Sequence, residues 1–200
     1  MKNKILELAS LVLDFGKVNR QTFHQDGITS ESDTDHTVML GILGCSIASK
    51  LYKDMDLGKV AQFAFIHDFV EVHAGDTPTL INVTSEFLKS KEEKEAIALE
   101  KIKNDFGDEF DWIHDTIEKY ESLDTKEARF IKVLDKVLPK LTVVLNKAKG
   151  INDNNLATKK QAKETFDKQR IKLLPLCRDM PEIMDIWEYF IDQELKLIEK

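Results

Sequence analysis

The chain has 200 residues, enough for one domain with a sizeable core, and no Pro/Gly/Ser-rich linker divides it. A net charge of −7 and an isoelectric point near 5.3 argue against a nucleic-acid polymer as the main partner, because phosphate backbones are bound by clustered Lys and Arg. Its 2 cysteines, Cys45 and Cys177, encode neither a disulfide framework nor a CxxC metal site, and no apolar run reaches the roughly 18 residues of a membrane span.

Met1-Lys2-Asn3-Lys4 opens into an amphipathic pattern rather than a signal peptide, so a soluble cytoplasmic protein is expected. Ile5, Leu6, Leu8, Ala9, Val12 and Leu13 repeat at helical spacing, and Phe15-Gly16 offers a glycine cap. Lys17 to Asp33 shows no period and reads as an irregular loop carrying Arg20, Phe23, His24 and Gly27. A loop of this length in a compact domain is more often functional than idle. Asp33 or Thr34 caps a second helix, where His36, Met39, Leu40, Leu43 and Ile47 form one stripe, so His36 faces the core.

Asp56 starts a third helix, apolar on nearly every side from Val60 to Val72, that is expected to run to Gly75-Asp76-Thr77-Pro78-Thr79. Thr84 to Phe106 reads as a long charged helix closed by Gly107, with Lys89 to Lys94 as a solvated face. Trp112, Ile113 and Ile117 make a short fifth helix. Asp124 or Thr125 caps a sixth, on which Ile131, Leu134, Asp135, Leu138 and Leu145 share a stripe interrupted by Pro139, and Lys132, Lys136 and Lys140 read as a solvated stripe. Gly150 to Asn155 is a polar turn, Thr158 to Leu174 a helix, and Pro181 to Glu199 a last helix begun by proline. No segment sustains period-two alternation. The expectation is an all-α fold, one domain over 1–200, in which the C-terminal helices over 158–199 pack on the rest.

The third helix carries the anomaly. At about 100° per residue, His67, Asp68 and Glu71 fall in one sector of a helix that should be buried. Burying a carboxylate without a partner costs several kcal/mol, so these residues need a shared cation or a strong hydrogen-bond network. Each has a bland reading when taken alone: a core-facing His36 is commonly a satisfied core residue, and Asp135 could pair with Lys132 or Arg129. Jointly, three helices turn imidazoles or carboxylates toward one core. Two neutral imidazoles, His36 and His67, with two carboxylates, Asp68 and Asp135, balance a divalent cation and leave positions open for water and a phosphate oxygen.

Such a site suits hydrolysis. Glu71 fits the base that takes the proton from an attacking water, and Asp76 either orients that water or protonates the leaving oxygen. Arg20 is the candidate for holding phosphate, since a forked guanidinium pairs with it in bidentate fashion. The metal is one of Mn, Fe, Co, Ni, Zn or Mg. His73 and His114 read as surface residues, while Phe23 or His24 either stacks on a base or closes over the core.

His36, then His67-Asp68, then Asp135 resembles the H…HD…D metal set of the HD-domain phosphohydrolases. Glu71 with Gly75-Asp76-Thr77-Pro78-Thr79 is similar to the bacterial 5′-deoxynucleotidase branch of that family, from about Arg20 to Lys149. The resemblance implies a compact helical bundle with the metal between central helices, metal-dependent release of phosphate from nucleoside 5′-monophosphates, substrate contacts from Arg20 and Thr79, and a homodimer. Relatives that remove triphosphate from deoxynucleotides use the same metal set. A reading of another class is a non-catalytic nucleotide-binding regulatory module with a structural metal. Gln21 stands where the branch often has a tryptophan after the arginine, so sugar preference is not carried over.

Overall fold

The computed structural model describes residues 1–77 and 84–199. Helices dominate, as the missing alternation implied. Helix α1 (Lys2–Phe15) ends at Gly16, whose φ of −65° is right-handed, so the expected left-handed glycine cap does not form. The segment read as an irregular loop is instead a two-stranded antiparallel ribbon, β1 (Asn19–Phe23) and β2 (Ser30–Ser32), with Asn19 opposite Ser32 and Phe23 opposite Ser30. Its strands lack apolar alternation because neither face lies wholly on the core. Phe23 packs where a Cβ on Gly150 would overlap its ring, so it closes over the core.

Ser32, one residue before the expected cap, starts α2 (Asp33–Leu51) with a capping box shared with Asp35. Asp56 caps α3 (Leu57–Ile66) as expected, its side chain accepting from the Gly58 and Lys59 amides. The third helix does not run on to Gly75. It stops at Ile66, passes through tight turns at His67–Val70, where the Phe69 and Glu71 amides reach back only three residues, and resumes as the one-turn α4 (Glu71–Ala74). The physical reason is a change of core. Val60, Phe63 and Ala64 pack into one apolar cluster, whereas Ile66, Phe69 and Val70 pack into another.

Thr84 caps α5 (Ser85–Phe106), followed by α6 (Asp111–Glu121). Thr125 caps α7 (Lys126–Leu145), the central helix: Phe130, Ile131, Val133, Leu134, Val137 and Leu138 have no exposed surface, and the chain continues helically through Pro139. The stretch read as a polar turn is a short helix, α8 (Lys149–Asn154), entered through left-handed Ala148. Helix α9 (Lys159–Leu173), a 3₁₀ turn (Leu174–Cys177) and α10 (Pro181–Leu197) complete the chain. Trp187 and Ile183 of α10 are fully buried in the cluster around α7, so the C-terminal helices pack on the motif-bearing part. Among the described residues no helix is long and apolar enough to cross a membrane.

Candidate metal centre

The break after Ile66 places His67 and Asp68 at the seam between the two apolar clusters, and α2 and α7 deliver the other two ligands. His36, His67, Asp68 and Asp135 each offer an atom within 4.8 Å of the others. His36 Nε2 lies 3.0 Å from Asp135 Oδ1, and His67 Nε2 lies 3.0 Å from Asp68 Oδ2 and 3.8 Å from Asp135 Oδ1. His67 Nδ1 donates to the Ala64 carbonyl at 2.8 Å, which turns Nε2 toward Asp68 and Asp135. Ligands at about 2.1 Å from one ion stand about 3 to 4 Å apart, so the four atoms need only small shifts to share a divalent cation. A backbone carbonyl fixing the imidazole tautomer is the arrangement metal-binding histidines use.

The charges are closely coupled. Burial alone would lower the His36 imidazole, but Asp135 and Glu31 hold its proton and push it up to about 9. Against their own burial, His67 holds Asp68, and Lys136 with His36 holds Asp135, well below the usual carboxylate range. Burial, and then the neighbouring Asp68, push Glu71 up to about 10, while the Lys91 ammonium 3.3 Å away opposes the rise. Glu71 is 2% exposed, and among the described residues its Oε2 has no hydrogen-bond partner. Asp76, on the loop past α4, is also raised by burial. Gly75, with φ +75° and ψ 150°, makes the turn that aims this loop.

Arg20 reaches the same cluster from β1. Its Nη1 donates to Asp33 Oδ1 at 3.0 Å and to Asp68 Oδ2 at 2.8 Å, with Glu71 Oε2 at 4.0 Å. Thr79, expected to contact substrate, lies outside the described residues. His73 is exposed.

Five residues are not marked by the sequence pattern. Asp33, taken as a candidate cap, is fully buried against Arg20, and Glu31 on β2 is buried between Thr22 and His36. Lys91 and Lys136, taken as solvated, ion-pair with Glu71 and Asp135, and Lys140 of the same stripe is buried over the Phe166 ring. Lys91 is the partial exception: Leu88, Lys91, Glu95, Ala98 and Ile102 follow a three-four spacing, and the last two are core residues.

One side of the centre opens into a cavity of about 970 Å³, which His67, Asp68, Asp135, Lys91 and Lys136 help to line. Apolar Val70, Leu88, Leu99 and Ile117 continue its wall, and α9 forms its far side.

A family model described as HD domain matches residues 16–172. No curated protein matches the chain. Solved structures similar to it include a predicted metal-dependent phosphohydrolase from Magnetospirillum magnetotacticum MS-1, at 22% identity and a TM-score of 0.74, covering 98% of this chain and 96% of that one. A conserved hypothetical protein from Pyrococcus furiosus is similar at 23% identity and a TM-score of 0.60, with 96% and 98% covered. A protein from Pyrococcus horikoshii OT3 matches at 20% identity and a TM-score of 0.57, with 98% and 99% covered. At these identities the likeness is one of fold.

Proposed function

Because the chain belongs to the HD-domain family, we propose that it is a metal-dependent phosphohydrolase that removes phosphate from nucleoside 5′-monophosphates. The observation that carries this reading is the convergence of His36, His67, Asp68 and Asp135 beside two acids and at the wall of a cavity large enough for a nucleotide. A divalent cation held by those four residues would acidify water at the site and offset the Asp68 charge that opposes ionisation of Glu71. Glu71 then accepts the proton of the attacking water. Asp76, whose carboxyl is raised from its ordinary value by burial, donates to the leaving oxygen. The apolar wall of Val70, Leu88, Leu99 and Ile117 takes the nucleoside.

The test is a product assay by mass over nucleoside mono-, di- and triphosphates, with and without the 2′-hydroxyl, in Mn²⁺, Co²⁺ or Mg²⁺. Inorganic phosphate from 5′-monophosphates is expected. Tripolyphosphate would replace the reading with a triphosphohydrolase. No release with any metal, together with a Glu71→Ala variant altered in stability alone, would replace it with a binding module. The same reading takes the chain as a single-domain, cytoplasmic homodimer, and sedimentation tests the dimer.

A further inference from the structure

Arg20 does not line the cavity that opens on the centre. Its side chain is 12% exposed and lies among Asp33, Asp68 and Glu71, with Nη1 donated to the first two. A guanidinium so placed is a counter-ion to Asp33 and Asp68, and among the described residues it is the one cation paired with the fully buried Asp33. The cations on the cavity wall next to the ligand set come instead from α5 and α7.

Lys91 Nζ lies 3.3 Å from Glu71 Oε1 and 3.0 Å from Glu95 Oε1. Lys136 Nζ lies 2.8 Å from Asp135 Oδ2, while Oδ1 of that carboxylate faces His36 and His67. One lysine is thus tethered on the Glu71 flank of the centre and the other on the Asp135 flank. An ammonium has three donors, so each keeps at least one free of these tethers.

We propose that Lys91 and Lys136 form the phosphate-binding subsite of this centre, each donating to a non-bridging oxygen of a phosphoryl group that enters through the cavity, while Arg20 serves as counter-ion to Asp33 and Asp68. This rests on the phosphohydrolase reading and adds to it which cations meet the substrate.

The test is calorimetric binding of inorganic phosphate to the Mn²⁺-loaded full chain, with Mn²⁺ binding and nucleotide hydrolysis measured alongside. Lys91→Met and Lys136→Met should each weaken phosphate binding about tenfold and raise KM while keeping Mn²⁺ stoichiometry. Lys136→Arg should restore most of the loss. Lys160→Met, an equal charge change on an exposed residue of α9 that does not line the cavity, should have no effect. Phosphate affinity unchanged in both lysine variants, with hydrolysis intact in the wild type, overturns the subsite alone. Phosphate held by the two lysines with no hydrolysis of any ester refutes the hydrolase reading and leaves the subsite standing. A loaded wild type that neither binds phosphate nor releases it overturns both.

Discussion

His36 Nε2 and Asp135 Oδ1 lie 3.0 Å apart although 99 positions separate them in the chain. Neither side chain has exposed surface to speak of, at 0% and 6%, so they hold each other or a shared cation. Asp135→Ala is expected to weaken Mn²⁺ binding by more than about 100-fold, the upper range that even outer-shell partners of metal ligands reach. In the wild type, saturating metal at about 100 times its Kd should add about 2.7 kcal/mol to the unfolding free energy, and chelation should remove it. Equal melting curves with and without metal, or undiminished Mn²⁺ uptake by the variant, would refute the centre.

Removing the Arg20 guanidinium leaves Asp33, which has no exposed surface, without the one cation it pairs with among the described residues, and takes one partner from Asp68. Arg20→Met should cost about 3 to 5 kcal/mol in urea unfolding, the usual result of breaking a buried pair from one side. Asp33→Asn in the same chain should recover part of that loss, giving a positive coupling in a double-mutant cycle. If Arg20 only awaited substrate, stability would not change.

Gly75 adopts φ +75° and ψ 150°, a region that residues with a Cβ avoid, although among the described residues nothing lies within 4 Å of where the Cβ would stand. Gly75→Ala is therefore a test of backbone strain without a clash. A loss of about 1 to 3 kcal/mol is expected, or else a relaxed loop that misplaces Asp76 and lowers kcat with metal binding retained. Full activity at wild-type stability would show that the turn is not needed.

Glu194 of α10 is 2% exposed, and among the described residues its Oε2 has no hydrogen-bond partner. Burial, opposed only in part by Lys140, pushes it up from 4.5 to about 7. The folded state therefore keeps a proton that the unfolded chain has lost. This contribution is fully present below pH 4.5, declines as pH rises to about 7, and is absent above. Glu194→Gln should lack that decline. Across the same window, the variant should gain on the wild type by on the order of a few kcal/mol in unfolding free energy. Parallel stability curves would rule out titration of Glu194 as a contributor.

Much of the candidate site was legible because local pattern and chemical anomaly coincide in it. His36 and Asp135 each stand on an apolar stripe of an amphipathic helix, where a polar side chain is out of place, and the helix starts expected at Asp56, at Thr84 and at Asp124 or Thr125 fall on the caps Asp56, Thr84 and Thr125. The ribbon was not legible. Asn19 to Phe23 and Ser30 to Ser32 have no alternation to detect, since their pairing comes from the ladder and from the burial of Glu31 and Arg20. The wheel drawn through His67 failed for a related reason: it assumed one continuous helix, whereas two apolar clusters pull the chain apart after Ile66.

The amino-acid order by itself determined the helical class, most helix starts, and which imidazoles and carboxylates were misplaced in apolar surroundings, because these depend on neighbours a few positions away. Tertiary structure alone decided that Arg20 spends its charge on Asp33 and Asp68, and that Lys91 and Lys136 flank the open side of the centre. The energy of a charge is set by whatever lies within a few ångströms of it, and in this protein those groups arrive from helices and strands far apart in the chain.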